Sequence, residues 1–147
     1  MRTLGIDPGS RRVGLSLSDA AGKLATPYGV LHVRFDSQAV EQILKIIETE
    51  AVQRLVIGLA LNMDGTRGAA AQGALDLGRE LAARSGKPVI FVDERLSTFQ
   101  AERNLVDRKR SVEKITRKQK KARLDAQAAV VFLQEYLDAK LAALNPR

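Results

Sequence analysis

The rhythm of apolar and polar positions changes along the chain, and the changes mark its elements. Thr3 to Asp7 climbs through a short apolar run to one aspartate and breaks at Pro8-Gly9. This predicts a central strand with Asp7 at or just past its end. After the short polar link Ser10-Arg11-Arg12, Val13, Leu15 and Leu17 alternate with Gly14, Ser16 and Ser18. A period of two predicts a half-buried strand, and so short a link makes it antiparallel to the first. Asp19 to Gly22 reads as a turn, and Leu24 to Val33 as a third strand that Pro27 and Gly29 interrupt or place at a sheet edge.

From Asp36 the rhythm becomes helical. Asp36-Ser37 can cap a helix that carries Val40, Ile43, Leu44 and Ile47 on one face and ends near Glu50. Arg54 to Leu59 is a continuous apolar run, which predicts a strand buried on both faces. A loop at Asn62 to Thr66 leads to a second helix, Ala69 to about Arg84, with Ala70, Ala74, Leu77 and Leu81 inward and Gly86 placed to end it. Val89 to Val92 predicts a fifth strand delivering Asp93-Glu94. Ser97-Thr98-Phe99-Gln100 reads as a capping box for a short helix to about Val106. A last helix runs from about Ala122 to Ala143, with Leu124, Ala128, Val131, Leu133, Leu137 and Leu141 mostly inward.

This order predicts an α/β fold. Three strands form an antiparallel meander, and right-handed crossovers then add two strands parallel to the first. The result is a five-stranded mixed sheet with helices on both faces. No repeat or linker divides the chain, so residues 1–147 read as one domain.

Composition narrows the chemistry. Aromatic residues are 4% of the chain against 45% hydrophobic residues in all, so the core must come from Leu, Ile, Val and Ala. The absence of cysteine excludes disulfides, thiolate zinc sites and a cysteine nucleophile. The one histidine, His32, excludes a multi-histidine metal site and reads as a structural or exposed residue. A net charge of +7 favours a polyanionic partner. Neither a signal peptide nor an apolar run long enough to span a membrane is visible, so a cytoplasmic protein without membrane contact is expected.

The three parallel strands end at one sheet edge, where open α/β sheets place their sites. That edge collects Asp7 and Asp93-Glu94. Asp125 lies in the alanine-rich stretch Ala122 to Ala129, where small neighbours let a helix approach the sheet closely. Each acid also has a structural reading. Asp7 can serve its turn, and Asp125 can face solvent or favour the start of its helix. Converging carboxylates repel and raise one another's pKa unless cations join them. Two Mg²⁺ or Mn²⁺ ions resolve this and support in-line phosphodiester cleavage without a nucleophilic side chain. Beside Asp125, a segment at about 107–123, expected to be flexible or weakly helical, carries Arg108, Lys109, Arg110, Lys114, Arg117, Lys118, Lys120, Lys121 and Arg123 against Asp107 and Glu113. Such a run suits a nucleic-acid backbone.

Four stretches together resemble the YqgF (RuvX-type) family of Holliday-junction resolvases and pre-16S rRNA nucleases. They are Gly5-Ile-Asp-Pro-Gly-Ser-Arg-Arg-Val-Gly14, Val56 to Gly65, Val92-Asp-Glu-Arg-Leu-Ser-Thr98 and Asp125-Ala-Gln-Ala-Ala129. The resemblance implies a ribonuclease H-like fold and a catalytic, metal-binding acidic set of Asp7, Glu94 and Asp125. Adjacent strand residues point to opposite faces, so Glu94 is preferred to Asp93. Arg95 could contact phosphate, and Arg11 and Arg12 join the basic segment as candidate nucleic-acid contacts. Asp64 reads as a turn residue. Ala60 stands where the family usually has proline, which leaves that turn freer.

The expected function is metal-dependent endonucleolytic cleavage of structured nucleic acid, chiefly at the 5′ end of pre-16S rRNA. Cleavage of four-way DNA junctions is the alternative, and would require a homodimer. A nucleic-acid-binding protein without catalysis is a further alternative.

Overall fold

The computed structural model describes residues 1–34, 36–60, 68–93 and 117–144. In chain order the elements are β1 (Thr3–Pro8), β2 (Arg12–Ser18), β3 (Ala25–His32), α1 (Asp36–Thr49), β4 (Arg54–Leu59), α2 (Ala69–Ser85), β5 (Val89–Asp93) and α3 (Arg117–Leu144). The sheet is five-stranded in the order β3-β2-β1-β4-β5. β1 is antiparallel to β2 and parallel to β4, and β4 is parallel to β5. The meander, the crossovers and the central place of β1 all match expectation. β3 is the edge strand that Pro27 and Gly29 implied, and its pairing with β2 shifts register between Leu15 and Ser16. In the β2–β3 turn, Asp19 Oδ1 accepts the Lys23 N–H at 2.7 Å and the Leu24 N–H at 3.2 Å. These bonds favour the ionised form and hold the Asp19 carboxyl below its ordinary pKa.

Strand alternation sorts the sheet into two faces. Leu4 and Ile6 of β1, Val13 and Leu15 of β2, and Leu55 and Ile57 of β4 build one core with Val40, Ile43 and Ile47 of α1 and Leu77 and Leu81 of α2. On the other face Val56 packs with Ala129, Phe132, Leu133 and Leu137 of α3, joined by Ile90 and Val92. Both faces are therefore covered by helices.

The half-buried reading of β2 is overturned. Ser16 and Ser18 are buried, as is Thr3 beside them. They escape the cost of burial because each is bonded. Ser16 Oγ donates to the Ala129 carbonyl at 2.8 Å, and Ser18 Oγ accepts the Thr3 N–H at 2.8 Å. Small polar side chains on one strand face here mark a close-packed helix rather than solvent.

Helix ends follow local chemistry. Gly86 closes α2 in the left-handed region at φ 71°, its N–H bonded to the Ala82 carbonyl. α1 closes with the Val52 N–H on the Ile47 carbonyl at 2.9 Å and the Ala51 N–H on Glu48 at 3.4 Å. This Schellman arrangement puts Ala51 at φ 52°, a conformation that suits glycine better. Two expectations need correction. Ala70 is exposed and Ala71 is buried in its place, because the run Ala69-Ala70-Ala71 offers no polar contrast to set the helical phase. The last helix begins at Arg117, not near Ala122, so Arg117, Lys118, Lys120 and Lys121 belong to a helix. Lysine and arginine are good helix formers, and a charge run alone does not stop a helix. The expected helix at 97–106 and residues 107–116 of the basic segment lie outside the described residues, as does the loop holding Asp64.

Candidate active site

Asp7 occupies the penultimate position of β1, inside the strand rather than beyond it. Its two neighbours treat it differently. Pairing with β2 continues through Asp7↔Gly14 to Pro8↔Val13, whereas pairing with β4 stops two residues earlier at Ile6↔Ile57. β1 thus stays with β2 and parts from β4 at Asp7. The aspartate is half-buried in a depression of about 410 Å³ lined by residues 7–12 and Gly14. Arg11 is exposed and Arg12 half-buried on its rim.

Alternation puts Thr3, Gly5 and Asp7 on the face covered by α3. Gly5 marks where helix and strand meet. A Cβ built there would collide with Ser16 Oγ and lie 3.1 Å from Leu133 Cβ and 3.2 Å from the Ala129 carbonyl oxygen. Ala129 therefore stands over Gly5. Further along α3, the Tyr136 ring lies 4.9 Å under the Arg54 guanidinium, whose Nε donates to Thr3 Oγ1 at 3.2 Å. Tyr136 thus stands over the start of β1, and α3 runs antiparallel to that strand. Position 125 is one helical turn before Ala129, about 6 Å along the axis. Asp7 is two residues beyond Gly5, about 7 Å along the strand in the same direction. The backbone thus brings position 125 of α3 and Asp7 to the same end of the same face.

The other acids separate. Val89 and Phe91 of β5 pack with the α1/α2 core, and Ile90 and Val92 pack with α3. Continuing that alternation assigns Asp93 to the α1/α2 face, opposite Asp7. Glu94, Arg95, Arg108, Lys109, Arg110 and Lys114 lie outside the described residues. Among the described residues no three acidic or histidine side chains converge on one point. The described part of the site supplies one carboxylate, Asp7. His32, at the end of β3, is exposed as expected.

Sequence reasoning missed the floor around Asp7. Gly5 precedes it on its own face, Gly14 is its partner on β2, and Gly58 follows Ile57 on β4 and pairs with Val92. No Cβ therefore rises beside Asp7 from either neighbouring strand. On the β2 side this floor opens onto the depression lined by residues 7–12 and Gly14. The signal was present in the alternation itself, which places all three glycines on one face.

Comparison with known proteins agrees with this architecture. The family model for RuvX, Holliday junction resolvase, matches residues 1–139. A protein of Acidiphilium cryptum named "Putative pre-16S rRNA nuclease" is 42% identical over 137 residues, covering 93% of this chain and 84% of its own. A protein of the same name from Anaeromyxobacter sp. (strain Fw109-5) is 40% identical over 140 residues, covering 95% and 98%. Among solved structures, Thermus thermophilus RuvC in complex with Holliday junction substrate superposes with a TM-score of 0.64 at 18% identity, covering 97% of this chain and 96% of that one. Fowlpox virus resolvase in complex with Holliday junction DNA superposes with a TM-score of 0.57 at 9% identity, covering 96% and 99%. The structural likenesses establish the ribonuclease H-like fold, and with the family match and the curated relatives they lead to one conclusion: the chain belongs to the RuvX Holliday junction resolvase family of nucleases.

Proposed function

We propose that this nuclease is a metal-dependent endonuclease that processes the 5′ end of pre-16S rRNA in the cytoplasm. The observation that carries the reading is the position of Asp7. It sits on the central strand where β1 parts from β4, on a glycine floor, at the end of the face that position 125 of α3 approaches. In this reading Asp7, Glu94 and Asp125 hold Mg²⁺ or Mn²⁺, two ions in all. A donor set of carboxylate oxygens suits these hard cations. When bound, such ions supply an activated water and neutralise the leaving oxygen of an in-line displacement. Asp7 fixes the cation against the sheet, and the flanking glycines admit the scissile backbone. Arg11 and Arg12 on the rim, with Arg95 and the basic run from Arg108 to Lys121, hold the polyanion. The substrate follows from the relatives named for pre-16S rRNA.

The family description favours a second substrate, the four-way DNA junction, whose resolution takes two active sites and hence a homodimer. A cleavage panel separates the two. It offers pre-16S rRNA 5′ ends, single strands and four-way junctions, with Mg²⁺ or Mn²⁺, to the wild-type protein and to Asp7→Asn and Asp125→Asn. The expected result is precursor cleavage that both variants lose while retaining binding. Cleavage that Asp7→Asn fully retains would exclude Asp7 from the chemistry.

A further inference from the structure

Arg12 and His32 face one another in register across β2 and β3. The residues between them and the strand interiors fix which face they share. Val13 and Leu31, one step in, pack with the α1/α2 core, so Arg12 and His32 lie on the α3 face. Gly14 and Val30 form the next registered pair on that face, and Gly14 is also the partner of Asp7. Asp7, Gly14 and Val30 thus make one row across three strands, and Arg12 and His32 begin the row immediately outside it. His32 is exposed and Arg12 half-buried. The ladder does not end at this pair, because the Val33 N–H donates to the Arg11 carbonyl at 2.9 Å. Both side chains therefore spring from backbone held in the sheet. His32 lies two strand spacings, about 10 Å, to the side of Asp7 and about 7 Å further out along the strands.

We infer that Arg12 and His32 form a phosphodiester-binding subsite next to Asp7, and that the substrate strand leaves the reacting centre across β2 towards the edge strand β3. The inference rests on the nuclease reading above and adds the path of the substrate to it. A guanidinium and an imidazole carried by registered neighbours on one face can both donate N–H groups to non-bridging phosphate oxygens. The contact is to the backbone, so it positions the strand without reading sequence. The histidine that reads from the sequence as structural or exposed gains a binding role, and its place in the register is the reason.

The test is equilibrium binding in the Asp7→Asn background, by fluorescence anisotropy across a KCl series. The probes are labelled pre-16S 5′-end RNA and a four-way DNA junction. Adding His32→Ala should weaken binding about fivefold, the size expected for one lost backbone contact among several. Adding His32→Arg should tighten binding and steepen the slope of log affinity against log salt by about 0.7 to 0.9, the value of one further neutralised phosphate. Arg12→Ala should flatten the slope by a similar amount. A single methylphosphonate at the contacted phosphate should abolish the effect of His32→Ala. The inference is overturned if the folded His32→Ala and His32→Arg proteins bind with the parent's affinity and salt slope. That outcome leaves the nuclease reading standing. Failure of the Asp7→Asn parent to bind either probe would remove both.

Discussion

The two faces of the sheet come from the same strands and are built on opposite plans. Under α1 and α2 the central strands present Leu4, Ile6, Val13, Leu15, Leu55 and Ile57, large aliphatic residues that fill space. Under α3 the intervening positions of β1 and β2 are Thr3, Gly5, Asp7, Gly14, Ser16 and Ser18. The first face is held by apolar area, whose burial is worth roughly 25 cal/mol per Å². The second has an apolar cluster over β4 and β5, and over β1 and β2 it is held by close approach and a few buried hydrogen bonds. The proposed site lies where β1 and β2 carry the least bulk. An aspartate with a Leu or Ile on each neighbouring strand could not admit a cation and a phosphodiester from the sheet side.

The contrast is strongest at Gly5. Gly5→Val drives a branched side chain into Ser16, Leu133 and the Ala129 carbonyl, displacing the buried Ser16 hydroxyl and pressing on two atoms fixed to the α3 backbone. Overpacking of this kind should cost about 3 kcal/mol in urea denaturation and abolish cleavage, because α3 carries position 125. Gly58→Ala sharpens the comparison from the functional side. It should lower kcat at least about tenfold, the equivalent of 1.4 kcal/mol, by adding a methyl group to the floor beside Asp7, measured on folded protein. Ile6→Val reverses that pattern on the other face. It should cost about 1 kcal/mol of stability and leave kcat as it was, measured at a temperature where both proteins are folded. The smallest effect lies far from both faces, at the end of α1. Ala51→Gly relieves a left-handed alanine and should raise stability by about 0.5–1 kcal/mol, read as a shift in the urea midpoint at constant slope.

Much of this fold was legible because its punctuation is strong. β4 begins at Arg54 and ends at Leu59 as the apolar run predicts, and Gly86 ends α2 in the left-handed conformation its position implied. What periodicity could not supply was the meaning of small residues. Ser16 and Ser18 read as a solvent face because serine is usually exposed, yet each is buried with a partner that only the tertiary structure provides, in the Ser16 case from 113 residues away. The alanine run at the start of α2 has no phase of its own, and the basic run before Asp125 concealed the start of α3. The place of Asp7 at the end of the central strand was legible from its apolar run and turn, and β5 obeys the alternation that assigns Asp93 to the opposite face. The glycine floor was not legible residue by residue, since a single glycine in a strand more often signals a bulge or a bend. It emerges only when the register pairs Gly14 with Asp7 and alternation puts Gly58, the residue after Ile57, on the same face.

The central claim is that this emptied face serves a cation at Asp7. Calorimetric titration of Mn²⁺ into the wild-type protein and into Asp7→Asn, matched for thermal stability, tests it directly. The account predicts a saturable isotherm for the wild type and at least about a tenfold loss of affinity in the variant, since one of few carboxylate ligands is gone. Superimposable isotherms for the two proteins would contradict it.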